Sequence, residues 1–221
     1  FKKLTDTVIR QVHDMRRMVD EFSSFARMPK PTFGVEDVRD ILRQSVFLFE
    51  VAKPDIHFTV TTPDRLEPRV CGPRLLSQAM TSNVKNAVEA IAEKQKNYSA
   101  GGVGHIDAAI ETGAAGELVI TVVDDGIGLP QARDAIAEPY MTTRQGGTGL
   151  GLAIVKKIVE QHYGELEFFD NPAGQGTCVT LTLHPERLRA LAGAGEEPGA
   201  VQAESVPGRL RNRQDREDYG A

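Results

Sequence analysis

Two cysteines, no stretch approaching a membrane span and no surplus of positive charge set the first limits on this 221-residue chain. Cys71 and Cys178 lack metal-ligand spacing and cannot build a disulfide framework, which fits a reducing compartment. Every apolar run falls short of the ~18 residues that a bilayer-crossing helix needs, and no part of the chain reads as a signal peptide. With 26 Lys+Arg against 31 Asp+Glu, a net charge of −5 and a pI near 5.6, no global basic field is available to hold nucleic acid. What is present, 40% hydrophobic and 26% charged residues, is the composition of an ordinary globular protein. The length suits one or two domains, large enough to bury a core without covalent staples.

The chain begins at Phe1, without an initiator Met and inside a helical pattern, so the expectation is a C-terminal piece of something longer. From Leu4 to Ala26, Val8, Met15 and Phe22 recur every seven residues, as do Val12, Val19 and Ala26. That narrow seam between charged residues predicts a helix that pairs with another helix rather than lying on its own domain. Met28-Pro29-Lys30-Pro31 stops it, because proline removes a donor and restricts the residue before it. Further helices are predicted over Val38 to Ala52, Leu75 to Ala92 (entered through Gly72-Pro73) and Leu150 to His162. Strands are predicted over Ile56 to Thr62, His105 to Glu111, Glu117 to Val123, Glu165 to Phe169 and Thr177 to Leu183. The last pair closes through the turn Asn171-Pro172-Ala173-Gly174. Beyond Ala190 there are five Gly, two Pro, ten charged residues and few large apolar ones, which predicts a disordered tail.

Four short motifs follow in order through the middle of the chain. Asn83-Val84-Lys85-Asn86-Ala87-Val88-Glu89-Ala90 lies on the long predicted helix, with Ala79, Ala87 and Ala90 facing the core. An amide oxygen there is a suitable hard ligand for Mg²⁺, although a helical Asn is usually just exposed. Val122-Val123-Asp124-Asp125-Gly126-Ile127-Gly128 leaves an apolar strand. Its glycines let a flat ligand approach the backbone and its carboxylate can accept from an exocyclic amine; plain strand-to-turn punctuation uses the same residues. Glu138-Pro139-Tyr140-Met141-Thr142-Thr143-Arg144 comes third, and Gly146-Gly147-Thr148-Gly149-Leu150-Gly151-Leu152-Ala153 fourth. The last opens a helix whose free N–H groups suit a polyphosphate. It is neither a P-loop nor a dinucleotide fingerprint, since no Gly-Lys-Ser/Thr follows and no strand precedes it.

In this order the four motifs resemble the N, G1, F and G2 boxes of sensor histidine kinases, and Gly174-Gln175-Gly176-Thr177 resembles their last glycine box. The run from Arg10 through Met18-Val19-Asp20-Glu21-Phe22-Ser23-Ser24-Phe25-Ala26-Arg27-Met28-Pro29-Lys30-Pro31 is more narrowly similar to the NtrY nitrogen-regulation kinases. The resemblance covers Phe1 to Pro185. It implies an α+β fold, a Bergerat-type sandwich with helices over one face of a mixed sheet. Residues 1–31 would be the second helix of a dimerisation hairpin, 32–187 the ATP-binding catalytic domain and 188–221 the tail. It implies ATP and Mg²⁺ as ligands, with Asn86 on the metal and Asp124 on the adenine amine. Gly126 and Gly128 would let the ring approach, Thr142 and Thr143 through Gly147 would form a lid, Gly149 and Gly151 would lie near the phosphates, and Thr148, Leu150 and Leu152 would also belong to the nucleotide site. Thr177 would lie near the adenine. Lys85 and Arg144 are candidates to offset phosphate charge, with surface solvation the plainer role for both. Tyr140 replaces the more usual Phe and still offers an apolar ring.

The same resemblance implies a homodimer formed through the hairpin and an NtrX-like response regulator as the recipient of the phosphoryl group. The parent would be an inner-membrane protein with this part in the cytoplasm, and membrane contact only through the region before Phe1. The acceptor histidine is expected upstream of Phe1. His13-Asp14 imitates an acceptor, but no proline follows, and the span to Asn86 is too short for the rest of a hairpin and its connector. His57, His105, His162 and His184 carry no motif and read as structural, His162 by compensating a helix dipole. Ser82 stands where the family often has Asn and where related ATPases have a glutamate base. Transfer to a supplied acceptor therefore fits better than hydrolysis. The competing reading is a nucleotide-binding interaction module or ATPase of the same fold without histidine transfer.

Overall fold

A computed structural model describes residues 2–97, 102–130, 136–139 and 148–194. The chain opens with α1 (Lys2–Ala26), β1 (Gly34–Glu36), α2 (Val38–Ala52), β2 (Ile56–Thr61) and β3 (Arg69–Cys71). It continues through α3 (Pro73–Asn97), β4 (Gly104–Thr112), β5 (Leu118–Asp124), α4 (Gly151–Gln161), β6 (Glu165–Asp170), β7 (Thr177–Leu183) and α5 (Pro185–Ala194).

Five strands form one mixed sheet in the order β2-β4-β5-β7-β6. Tight turns join β4 to β5 and β6 to β7, so both pairs are antiparallel. β2 and β4 run parallel, which requires a long crossover, and α3 supplies it. Alternation then sorts the side chains. Leu118, Ile120, Val122 and Asp124 of β5 point inward, each opposite an inward residue of β7: Leu183, Leu181, Val179 and Thr177. The apolar row thus ends, at one edge of the core, in a carboxylate beside a hydroxyl.

The helices cover that inward face. Leu42 and Val46 of α2, Leu76, Met80 and Ile91 of α3, and Ile158 of α4 are all within 1% of complete burial. Asp37 caps α2, its side chain accepting from the Arg39 N–H at 2.9 Å, so the helix starts where the apolar stripe does. The architecture is therefore the α+β arrangement expected, with one addition. β1 and β3 form a separate antiparallel pair, Val35 opposite Val70.

Two boundaries differ from expectation. α3 continues to Asn97, one turn beyond Ala92, through polar residues that carry no apolar period but form helices well. At the other end, the expected start of a tail at residue 188 is corrected. α5 runs to Ala194, with Leu188 only 1% exposed and the helix packed against β3. Residues 195–221, on which the expectation of disorder chiefly falls, lie outside the described residues.

α1 stands largely clear of the domain. Val8, Val12, Met15 and Val19 on its seam are all more than half exposed. Among the described residues its C-terminal end docks, where Phe25, and Met28 just past the helix, pack on the core. Lys157 fixes that end, its Nζ lying 4.7 Å from the Phe25 ring centre and donating to the Phe25 carbonyl at 3.1 Å. Among the described residues, no helix is long and apolar enough to cross a membrane.

Candidate functional site

The end of β5, the middle of α3 and the start of α4 converge on one edge of the core. Asp124 arrives there because it is the fourth inward residue of its strand, and it is only 5% exposed. Its Oδ1 accepts from the Gly126 N–H at 2.8 Å. Its carbonyl accepts from Asn171 Nδ2 at 2.9 Å, so the β6–β7 turn latches the end of β5. Thr177, 8% exposed, is the direct cross-strand partner of Asp124.

Three glycines make the turn around this carboxylate possible. A Cβ at Gly126 would stand 2.6 Å from Ala90 Cβ and 2.7 Å from the Ala90 backbone carbon, so the turn lies directly on α3. Gly128 has φ +85° and Gly176 φ +135°, both conformations that side chains with a Cβ resist. At Gly176 a Cβ would also overlap the Asp124 carbonyl oxygen.

On the other side lies Asn86. Its Nδ2 is buried and has no hydrogen-bond partner among the described residues. Its Oδ1 lies 3.3 Å from where a Cβ on Gly151 would be, so the first residue of α4 sits directly over the amide. Ser82 Oγ donates to the Gly151 carbonyl at 3.2 Å and holds the helix start there. Leu150, fully buried, anchors the turn, and its N–H reaches Thr148 Oγ1 at 3.4 Å. The N-cap residue Leu150 makes no side-chain cap, and a helix start of this kind suits an anion. Gly149 takes φ +67°. Asn83, next to the family position occupied by Ser82, is 1% exposed, and its buried Nδ2 likewise has no partner among the described residues.

The donor set tests what this edge could hold. Among the described residues, no three His, Cys, Asp or Glu gather to bind a metal. The Asn86 amide oxygen can serve as one hard ligand to Mg²⁺ that brings its own phosphates and waters, not to a metal caged by protein alone, and its unpartnered Nδ2 is a donor that a phosphate oxygen could satisfy.

The rim is charged. Lys85 Nζ lies 3.4 Å from Glu21 Oε1 of α1 and 3.9 Å from Glu89 Oε1. The same Glu21 carboxylate accepts from Thr148 Oγ1. Glu138 of the third motif pairs with Lys156 of α4 at 2.9 Å. Of the residues read from sequence, Asn86, Asp124, Gly126, Gly128, Thr148, Gly149, Leu150, Gly151, Leu152 and Thr177 are described, and all but Leu152 are placed at this edge by the contacts and conformations above. Thr142, Thr143 and Gly147 lie outside the described residues, as do Tyr140 and Arg144. Sequence reasoning missed Asn171 and Glu21, whose roles depend on partners dozens of residues away.

The histidines do not join the site. His13 is exposed on α1, and His57 meets His105 edge-on at 5.8 Å. His162 is a correction. It is fully buried, its Nε2 accepting from the Gly72 N–H at 2.9 Å while its Nδ1 lies 2.7 Å from the Ile158 carbonyl. Burial pushes its pKa down, so it is a neutral pin between α4 and the entrance to α3, not a charge answering a dipole.

Comparison with known proteins agrees with this geometry. Residues 71–187 match the model of the "Histidine kinase-, DNA gyrase B-, and HSP90-like ATPase" family. The chain is 48% identical over 192 residues to the nitrogen regulation protein NtrY of Azorhizobium caulinodans, a match covering 86% of this chain and 24% of that protein. It is 31% identical to an NtrY-like putative sensor histidine kinase of Rickettsia bellii, covering 86% and 30% respectively. The chain thus spans less than a third of these relatives. Among solved structures, the mycobacterial sensor histidine kinase MprB matches at 25% identity and a TM-score of 0.56, covering 69% of this chain and 96% of that one. The catalytic domain of the histidine kinase ThkA shares the fold at a TM-score of 0.59 and 24% identity, covering 70% and 98%.

Proposed function

Because the chain belongs to the histidine kinase-, DNA gyrase B-, and HSP90-like ATPase family and has NtrY-type sensor kinases among its relatives, we propose that it is the ATP-binding catalytic part of such a kinase. The observation that supports the proposal is the pairing of a buried Asp124 beside Thr177 with an Asn86 under Gly151 whose buried Nδ2 donor has no partner among the described residues. One end of the edge suits an adenine amine, and the other suits a metal-bound triphosphate.

Asp124 accepts the exocyclic amine of adenine, with the ring against Gly126 and Gly128 and Thr177 alongside. Asn86 offers its amide oxygen to Mg²⁺, which neutralises phosphate charge when bound. The start of α4, at Gly149 to Leu152, faces the phosphates with its N–H groups. Thr142 and Thr143 through Gly147 belong to the lid, and Thr148 adjoins the nucleotide. Ser82 holds Gly151 and is no general base, so water is not activated from that position and the γ-phosphoryl group goes to a supplied acceptor.

That acceptor is a histidine beyond the 221 residues, and the group then passes to an aspartate on a response regulator receiver domain of NtrX type. The exposed seam of α1 supports a homodimer through a helical hairpin. Residues 32–194, α5 included, are then the catalytic domain and 1–31 the hairpin helix. The relatives' greater length leaves room for a sensor region, which we place in the inner membrane with this part in the cytoplasm.

The test has two arms. The chain should bind ATP with Mg²⁺ by calorimetry yet take no acid-labile label from radioactive ATP. A longer polypeptide carrying the preceding region should label itself. Steady phosphate release by the chain without transfer would favour the ATPase reading, and label lost on His13→Ala would overturn the hairpin assignment.

A further inference from the structure

We infer that Lys94 is a positioning residue for the adenine-binding carboxylate of Asp124, acting through a single peptide plane. Lys94 follows Ala90 by one helical turn, so both face the same way from α3. Ala90 carries the weight of Gly126. Lys94 reaches the residue before it, donating from Nζ to the Asp125 carbonyl and lying 3.8 Å from Asp125 Oδ2.

The Asp125 carbonyl and the Gly126 N–H belong to the same trans peptide and point in opposite directions. Lys94 holds the oxygen end, and the N–H end donates to Asp124 Oδ1 at 2.8 Å. Fixing one end of the plane therefore aims the other at the carboxylate. β4 secures the same residue from the far side. The Asp125 N–H donates to the His105 carbonyl at 3.2 Å, and Asp125 Oδ1 accepts from the His105 N–H at 2.9 Å. Of these anchors, the ammonium is the one that grips the Asp125–Gly126 plane. A partly exposed ion pair does little for stability. Its effect here is on the direction in which Asp124 presents its oxygens, and so on recognition of the base.

This inference rests on the proposed role of Asp124, and the experiment separates the two. Binding of ATP and of inosine triphosphate, each with Mg²⁺, is measured by calorimetry on the whole chain. Inosine lacks the exocyclic amine and carries an oxygen there. The unaltered chain should prefer ATP; no preference would sink the adenine role of Asp124 and this inference with it. Lys94→Met should weaken ATP about fivefold while leaving inosine triphosphate unchanged, the second ligand also reporting that the variant is folded. Lys94→Arg should restore most of the preference, and Lys94→Met added to Asp124→Asn should do no further harm. Equal losses for both nucleotides, no loss for either, or additive effects in the double variant would overturn the inference while leaving the Asp124 reading intact. Should Lys94→Met fail to fold, Lys94→Gln takes its place, with the same selective loss expected and the same results overturning the inference.

Discussion

Asp124 and Thr177 are direct cross-strand partners at the ends of β5 and β7, and both are almost completely buried. An isolated carboxylate in that position would be costly. Gly126 donates to it, and the neighbouring hydroxyl gives the pair a polar face at the margin of an otherwise apolar row. Asp124→Asn keeps the shape but turns half of the acceptor into a donor facing the adenine amine. Affinity for ATP should fall tenfold or more. Thr177→Val, close in volume, should cost less, about threefold, because it removes a flanking group rather than the acceptor. Calorimetry on both variants checks the order; unchanged affinity in Asp124→Asn removes that residue from the site.

Gly126 and Gly128 share a motif but resist substitution for different reasons. At Gly126 the obstacle is the Ala90 backbone of a buried helix, which cannot rotate away. Gly126→Ala should move the turn off α3, costing about 1–3 kcal/mol of stability and most of the ATP binding. At Gly128 the nearest atom to a Cβ is 3.5 Å away, so there is room, and the cost is the positive φ, about 1–2 kcal/mol. Urea unfolding of the two variants separates the cases. Gly126→Ala should lose binding out of proportion to stability, whereas Gly128→Ala should lose chiefly stability.

These contrasts mark what one-dimensional reading can reach. β5 was legible as a short apolar run, Leu118 to Val123, between turn residues, and β7 because a period of two survives in Thr177 to Leu183. α2 was legible to the residue, since its apolar stripe begins directly after a capping Asp37. β1 and β3 were not, because three residues carry no period and each strand exists only through its partner. The end of α3 is hidden where Glu93, Lys94, Gln95 and Lys96 replace the apolar stripe, although Lys94 reaches back to Asp125. The glycine and carboxylate positions of the site stand out by spacing. Their supports do not, since Asn171 reaches across 47 positions to Asp124 and Ser82 across 69 to Gly151. His162 misleads for the same reason. Its place at a helix end suggests a charge, and only the fold shows that it is buried.

Glu21 sets a negative charge between Lys85 and Thr148, at the rim where the triphosphate would lie. On the proposed function it would occupy the lysine that could otherwise meet phosphate and would repel the phosphates directly. Glu21→Gln should therefore raise ATP affinity about two- to threefold at low ionic strength, with the gain fading as salt screens it. Adenosine, which has no phosphates, should bind both proteins alike. A gain that extends equally to adenosine would point to a change in the base site and contradict the electrostatic account.

His162 offers a prediction in pH because its neutral form bonds on both sides. His162→Ala leaves the Gly72 N–H without its acceptor in a buried setting and opens a cavity, so it should cost about 2–4 kcal/mol at pH 7.5. Burial holds the folded-state pKa below the ordinary 6.5, while the unfolded chain titrates near that value. Between the two, the unfolded state binds more protons, so stability falls as pH falls. The contribution of His162 is complete above about pH 6.5 and is lost progressively as pH drops toward the folded-state pKa. Urea unfolding at pH 7.5 and 5.5 should show the gap between the unaltered chain and His162→Ala narrowing, by at most about 1.4 kcal/mol per pH unit. A gap that stays constant over that range would mean that the folded protein accepts the proton as readily as the unfolded one, and the neutral pin would have to be abandoned.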